Sequence, residues 1–183
     1  MSRPEGPVRV VLLTGSTRPG STNTAALRTA AGLDVAGVEA TLWERLVEVP
    51  AFVPDADAPP VVADLRDRLA AADAVVICTP EYAGTLPGSF KNAIDWLVGS
   101  GELYRKPVAW INVAAPGRGE GADRTLATVL GYVDADVVEA ACGRIEVRRD
   151  VVGDDGLVHD AGVRAWLAAQ LEGVAEHVRG VER

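Results

Sequence analysis

Apolar positions along the chain fall into two kinds of run, and the two alternate. Val8, Val10, Val11, Leu12 and Leu13 form an apolar, β-branched run, the composition of a strand covered on both faces. Behind it, Leu27, Ala30 and Ala31 share one stripe, which predicts a helix from Thr24 to Leu33. A strand around Ala40 to Trp43 and a Pro- and Asp-rich loop from Pro50 to Pro60 come next. They lead to a helix with Val61, Leu65, Leu69 and Ala72 on one face, then to strand Ala74 to Thr79. The loop Pro80 to Leu86 precedes a helix begun by Pro87, whose fixed φ suits the first helical position, with Phe90, Ala93, Ile94 and Leu97 as its stripe. Pro107 to Val113 reads as a further strand, followed by a flexible glycine-rich loop, Pro116 to Gly121, and a helix bearing Ala122, Leu126, Val129, Leu130 and Val133. A strand region spans Val137 to Val147, and a hairpin-like stretch surrounds Gly153 to Gly156. The last helix turns Val163, Trp166, Leu167, Leu171, Val174 and Val178 inward.

Five strands, each followed by a helix, require right-handed crossovers, hence an α/β fold with a parallel sheet and helices on both faces. With the first strand central, the expected architecture is a flavodoxin-like three-layer sandwich with a five-stranded parallel sheet in the order 2-1-3-4-5. Residues 1–183 read as one domain, because 183 residues with 48% hydrophobic content fill one substantial core and are short for two. Ligands of such sheets bind beyond the carboxyl ends of the strands where the order reverses. Those ends are the loops at 14–24, 80–86 and 114–121.

A net charge of -8, with lysine only at Lys91 and Lys106, argues against a nucleic-acid partner, since phosphate neutralisation needs clustered cations. The two cysteines, Cys78 and Cys142, lie in apolar runs without a CxxC pair, and read as buried reduced thiols. Met1 opens a polar, Pro- and Gly-containing start, so neither a signal peptide nor a membrane span is expected and the localisation read is cytoplasmic.

Chemistry concentrates in the first loop. The first N–H groups of a helix lack internal partners and carry the positive end of the dipole, so a strand-to-helix junction is an anion site. Ser16, Thr17, Ser21, Thr22, Asn23 and Thr24 add hydroxyl and amide donors, and Arg18 adds a forked cation. Gly15 and Gly20 mimic the spacing of a triphosphate loop, yet the lysine that would follow is absent, and the GxGxxG dinucleotide fingerprint is missing too. A hydroxyl-rich cradle with one arginine suits a single terminal phosphate held without metal. A planar ring between Pro80-Glu81-Tyr82-Ala83-Gly84, with its exposed backbone groups, and the third loop would complete a mononucleotide with a flat head.

GSTRPGSTN at Gly15 to Asn23, together with TPEYAGTLPGSFKNAIDWL at Thr79 to Leu97, resembles the NADPH-dependent FMN reductase family of quinone, chromate and azo-dye reductases. The resemblance runs from about Val8 to Trp166. It implies FMN as bound cofactor and NADPH or NADH as co-substrate, with hydride passing to FMN and electrons then passing to a small-molecule acceptor such as a quinone, azo compound, metal ion or free flavin. It implies that Ser16, Arg18, Ser21 and Asn23, with the neighbouring Thr22 and Thr24, hold the FMN phosphate. Pro80, Glu81, Tyr82, Ala83 and Gly84 would line the flavin and ribityl region, with Ala115, Pro116 and Gly117 opposite. A homodimer or homotetramer is implied as well. Two positions depart from the family pattern: many members carry Asn at Ala83, and a Ser near the start of the third loop where this chain has Ala114, Ala115 and Pro116. Both changes remove side-chain hydrogen bonds to the ring or ribityl chain.

Other residues carry competing readings. Trp96 is either core or part of a subunit interface, Tyr82 either packs beside its loop or faces flavin, and Arg118 and Arg124 either greet NADPH phosphates or are solvated charges. Lys91 and Asp95, at i and i+4, read as a surface ion pair, and His159 and His177 receive no role. Two non-reductase readings stay open beside the enzyme: a flavodoxin-like electron carrier, and a non-catalytic flavin- or nucleotide-binding protein.

Overall fold

A computed structural model describes residues 6–181; the polar start at Met1, read above against a leader, lies outside them. In chain order the elements are β1 (Val8–Thr14), α1 (Thr22–Ala31), β2 (Val38–Trp43), α2 (Pro60–Ala71), β3 (Ala74–Cys78), α3 (Gly88–Val98), β4 (Pro107–Asn112), α4 (Glu120–Tyr132), β5 (Asp136–Val137), β6 (Gly143–Arg144) and α5 (Ala161–Val181). All strand pairs are parallel, in the order β2-β1-β3-β4-β5, with β6 also on β4. This is the flavodoxin-like order expected from the alternation.

Period-two patterning distributes the strand residues between two cores. Val8, Val10 and Leu12 of β1 and Ala74, Val76 and Cys78 of β3 join Ala26, Leu27 and Ala30 of α1 and Leu167, Leu171 and Val174 of α5. Val11, Leu13, Val75 and Ile77 point the other way, onto Leu65 and Leu69 of α2, Phe90 and Ile94 of α3, and Leu126 and Leu130 of α4. β1, β3 and β4 are covered on both faces, which is why their sequences are predominantly apolar rather than alternating.

Several boundaries differ from the sequence expectation, among them the ends of α1, β3 and β4, each one or two residues earlier. α1 begins two residues earlier, at Thr22, because Ser21 is already its extended cap. Pro87 is the residue before α3 rather than its first: its ψ of 135° is extended, and the helix starts at Gly88. β2 starts earlier, at Val38. The region 137–147 is not one strand, since a 3-10 turn at Glu139–Ala141 divides it. β5 pairs with Pro107 and Val108 at one end of β4, and β6 with Ile111 and Asn112 at the other. Near Gly153 the hairpin-like stretch is present as an antiparallel bridge between Val152 and Val158, tied to α1 by the Val158 N–H donating to Thr29 Oγ1 at 2.8 Å.

Registers bring three strand ends together. Thr14 of β1 lies opposite Cys78 of β3, and Cys78 opposite Ile111 of β4, so the loops that follow leave one edge side by side. The first two touch through Gly15: its N–H donates to Cys78 O at 2.8 Å, and a Cβ placed on it would stand 2.1 Å from Thr79 Oγ1.

Candidate functional site

The loop between β1 and α1 turns at Gly20, whose φ of 65° is the left-handed conformation that glycine adopts without cost. Ser21 follows with extended dihedrals and makes no side-chain cap, and α1 has no acidic residue in its first turn. Among the described residues, the backbone N–H groups of Thr22, Asn23 and Thr24 have no acceptor, because the ladder begins with Ala25 donating to Ser21 O at 2.9 Å. Aligned open amides without a neutralising carboxylate make the strongest anion locus a helix can offer.

Side chains around this turn divide into groups that keep a free hydroxyl proton and groups that hold those in place. Asn23 belongs to the second kind. It is buried, its Oδ1 accepts from the Cys78 thiol at 3.2 Å, and its Nδ2 donates to Ser21 Oγ at 3.5 Å. Ser21 therefore keeps its own proton free to donate. Thr24 Oγ1 lies 2.9 Å from Thr14 Oγ1, so that hydroxyl fastens the helix to the strand. Ser16 Oγ accepts from the Arg18 N–H at 3.3 Å, which leaves its proton available as well. Arg18 is exposed and has no ion-pair partner among the described residues. Beside the turn runs an open groove of about 160 Å³ bordered by Ser16, Arg18, Gly20, Thr24 and the Arg28–Glu44 ion pair. Burial pushes the Cys78 thiol above its usual pKa, so it remains a protonated donor to Asn23.

In the second loop Tyr82 and Thr85 exchange both backbone hydrogen bonds, at 3.0 and 3.1 Å, across Ala83 and Gly84, whose φ values are 51° and 77°. This is a two-residue turn of the mirror-image type, the form that closes hairpins. The expectation of open backbone groups here is corrected for Tyr82, whose N–H and C=O are consumed by the turn. Ala83 and Gly84 lie exposed at its tip, and the Tyr82 ring is 46% exposed. The Glu81 side chain turns away from the tip: Oε2 accepts from the N–H groups of Gly121, at 2.6 Å, and Ala122, at 3.3 Å.

The third loop, expected from its glycines to be flexible, is held by hydrogen bonds at both ends. Arg118 N–H donates to Ala115 O at 3.0 Å around Pro116 and Gly117, the latter at φ 76°, a turn built for proline followed by glycine. Asn112, buried at the end of β4, accepts from Ala114 N–H at 3.0 Å and donates to Asp123 Oδ2 at 2.7 Å. Arg144 reaches the same Asp123 oxygen at 3.1 Å and also donates to Arg118 O. The sequence reading missed Asn112, Asp123 and Arg144. A lone amide ending an apolar strand was the available signal.

Trp96 lies in the core of the single chain, 3% exposed, its indole N–H donating to Pro50 O at 3.0 Å and its ring meeting Phe52 edge-on at 5.1 Å. Lys91 and Asp95 form their ion pair at 2.6 Å. Arg124 stands 3.9 Å from Glu120 on an exposed face, and His177 pairs with Asp136 at 2.7 Å, far in sequence from the three loops.

Two helices thus start at the same sheet edge with opposite character, α1 open to an anion and α4 filled by Glu81 with Glu120 and Asp123 in its first turn. An open helix N-terminus beside two loop tips, on a parallel sheet of this strand order, defines a flavodoxin-like α/β protein. The sequence model of NADPH-dependent FMN reductases matches residues 8–144, and the chain belongs to that family of oxidoreductases. It is 34% identical to a quinone reductase of Escherichia coli (strain K12), over 96% of this chain and 97% of the other. An NAD(P)H-dependent FMN reductase of Pseudomonas aeruginosa is 31% identical, over 94% and 96%. Among solved structures, the flavoenzyme NAD(P)H:(acceptor) oxidoreductase FerB from Paracoccus denitrificans superposes with a TM-score of 0.78 at 28% identity, covering 94% of this chain and 98% of that one. Among the described residues no helix is long and apolar enough to cross a membrane.

Proposed function

We propose that this chain binds FMN with its phosphate on the N-terminus of α1, and that it catalyses NAD(P)H-dependent reduction of a small acceptor, a quinone, azo compound, metal ion or free flavin. The observation that carries the reading is the set of open amides at Thr22, Asn23 and Thr24 beside the free hydroxyl protons of Ser16 and Ser21. These donors, with Arg18, match a dianionic phosphate in number and sign, and no carboxylate in the first turn of α1 opposes it. When bound, FMN supplies the capacity to accept hydride from a nicotinamide and to release electrons singly or in pairs.

The protein's part is then binding, orientation and exclusion of water. Asn23 and Thr14 hold Ser21 and Thr24 in place, so the cradle is formed before the ligand arrives and little ordering entropy is lost on binding. Ala83 and Gly84 present backbone to one edge of the ring and Ala115, Pro116 and Gly117 to the other, without the side-chain hydrogen bonds that Asn and Ser would add. In this reading Tyr82, which is exposed, covers the flavin face. Hydride transfer needs no acid–base pair on the protein, so the reading asks for none. NADPH and NADH are both admitted as reductants. A homodimer or homotetramer is part of the same proposal; exposed Val47, Phe52 and Val53 support it as apolar surface for a second copy to cover. A cytoplasmic location goes with the reduced thiols.

The test is the visible spectrum of the purified protein with FMN, before and after anaerobic NADPH. Flavin bands that survive gel filtration and then bleach establish the reductase half-reaction. Bands that survive but stay unbleached by NADPH and NADH indicate an electron carrier, and no retained flavin removes the reading. In the first case Arg18→Ala with Ser21→Ala weakens FMN retention by about a hundredfold, as expected for two hydrogen bonds to a charged group.

A further inference from the structure

The flavin reading uses the tips of the second and third loops but not the groups beneath them. Those groups converge on the first turn of α4. Glu81, from the second loop, occupies the amides of Gly121 and Ala122. Thr85, four residues on, lies with its hydroxyl 2.8 Å from that of Thr125. Thr125 Oγ1 already donates to Gly121 O at 2.8 Å, so Thr85 is the donor of that pair. Backbone proximity completes the contact: a Cβ on Gly121 would stand 2.1 Å from Gly84 O, so only glycine admits this approach.

From the opposite side the same turn holds the third loop. Asp123 binds Asn112 and Arg144, and these hold Ala114 and Arg118, one at each end of the loop. Gly119, at φ 82°, packs so tightly that a Cβ there would be 2.5 Å from Asn112 Nδ2. Both loops are therefore tied to the start of α4 by six side chains, Glu81, Thr85, Thr125, Asp123, Asn112 and Arg144, and their tips cannot move apart without breaking these bonds.

We propose that the first turn of α4 is a clamp that fixes the gap between the second and third loops, and that Glu81 is the positioning residue that sets this gap to the flavin ring. The flavin half of the inference rests on the FMN reading above. A chain lacking side-chain hydrogen bonds at Ala83 and Ala114 has to hold its ring by shape, and a fixed gap between two backbone edges provides that. Glu81 serves because a carboxylate is matched to helix amides and to the positive end of the dipole. A glutamine side chain can still offer one carbonyl oxygen to the same amides, whereas alanine leaves them open.

The test pairs two readouts. In the flavin-free protein, amide hydrogen exchange is followed in wild type, Glu81→Ala and Glu81→Gln. With FMN, the dissociation constant and the visible band shape of bound flavin are measured in the same three proteins. The expected result for Glu81→Ala is exchange about tenfold faster at residues 82–86 and 114–122, unchanged exchange in β1 and β3, a dissociation constant raised about tenfold and a shifted flavin band, with Glu81→Gln restoring most of each. Thr85→Val, which leaves the helix amides capped, moves the same quantities in the same direction by less and covers the case of Glu81→Ala failing to fold. Exchange confined to wild-type rates in both variants overturns the clamp. Faster exchange with FMN affinity and band shape unchanged overturns the role of Glu81 toward the ring. Wild-type protein that retains no FMN removes the flavin half along with the reading it rests on, while the exchange data still decide the clamp.

Discussion

The thiol of Cys78 donates to the side-chain carbonyl of Asn23 at 3.2 Å, joining the end of β3 to the first turn of α1 across 55 positions of chain. Neither residue needs to touch a ligand for this bond to matter, because Asn23 in turn orients Ser21 Oγ. Replacing Cys78 by alanine strands a buried amide oxygen, at a cost of about 1–3 kcal/mol, and frees Ser21 to rotate. Cys78→Ser keeps a donor. FMN titration of the two variants is expected to show Cys78→Ala weaker than Cys78→Ser, and equal affinities would remove Asn23 from the cradle's support. Cys78 is fully buried and its thiol is pushed up, so the native protein at neutral pH should withhold that thiol from a thiol reagent until it unfolds, whereas Cys142, expected from sequence to be buried, is only partly so and should react in the native protein.

Ala83 occupies a left-handed backbone position, φ 51°, next to Gly84 at 77°. Alanine pays for that conformation with a clash between Cβ and backbone that glycine lacks and asparagine tolerates. An asparagine at this position would therefore be favoured by the turn itself, before any hydrogen bond to a ligand. Ala83→Gly and Ala83→Asn are both expected to raise the free energy of unfolding, each by up to about 1 kcal/mol. Chemical denaturation checks this. If only Ala83→Asn also tightens FMN, the amide acts on the ligand; if both or neither do, the backbone is the whole effect.

The legible parts of the sequence were those governed by local period and composition. Apolar runs in β1, β3 and β4 announced strands covered on two faces, and the Ser- and Thr-rich stretch from Ser16 to Thr24 announced the turn that opens α1. What escaped depends on residues distant in sequence. The direction of the Glu81 side chain is set by amides forty positions away, and the stiffness of the third loop by Asn112, Asp123 and Arg144 together, none of which has a local signature. The broken fifth strand escaped for a related reason. Its two short pieces are assigned by their register on β4, and apolar residues from Val137 to Val147 look alike whether they sit in a ladder or in the turn between.

Gly15 is small because of Thr79. Any side chain at position 15 would overlap the Thr79 hydroxyl and Cβ, at 2.1 and 2.4 Å. Relief requires the first and second loops to separate, which moves the cradle relative to the ring position. Gly15→Ala is expected to destabilise by about 1–3 kcal/mol, the usual cost of overpacking, and to weaken FMN more than that loss of stability alone accounts for. Thr79→Ala in the same chain makes room and should recover part of both. A double-mutant cycle that shows simple additivity would mean that the two positions are not coupled.

Asp64, on α2, links three partners: it accepts from the Trp43 indole at 2.9 Å, Arg68 at 2.9 Å and Arg45 at 3.4 Å. The Trp43 hydrogen bond is the largest influence on its carboxyl and lowers the pKa; burial opposes it, and the two arginines add to the lowering. Glu48 is lowered by its hydrogen bonds from Arg45. At Asp73 burial alone would raise the carboxyl, and Arg9 more than reverses it. Each group is thus more acidic folded than unfolded, so its contribution is present above the unfolded carboxylate pKa of about 4 and is lost as pH falls through the folded value. Stability is expected to be level from neutrality to about pH 5 and to drop below it. Asp64→Asn retains an acceptor for Trp43 but cannot titrate. It should be less stable than the wild type at neutral pH and decline less steeply in acid, so that the two denaturation curves converge between about pH 4 and pH 2. Parallel curves across that range would assign the acid sensitivity to other carboxylates.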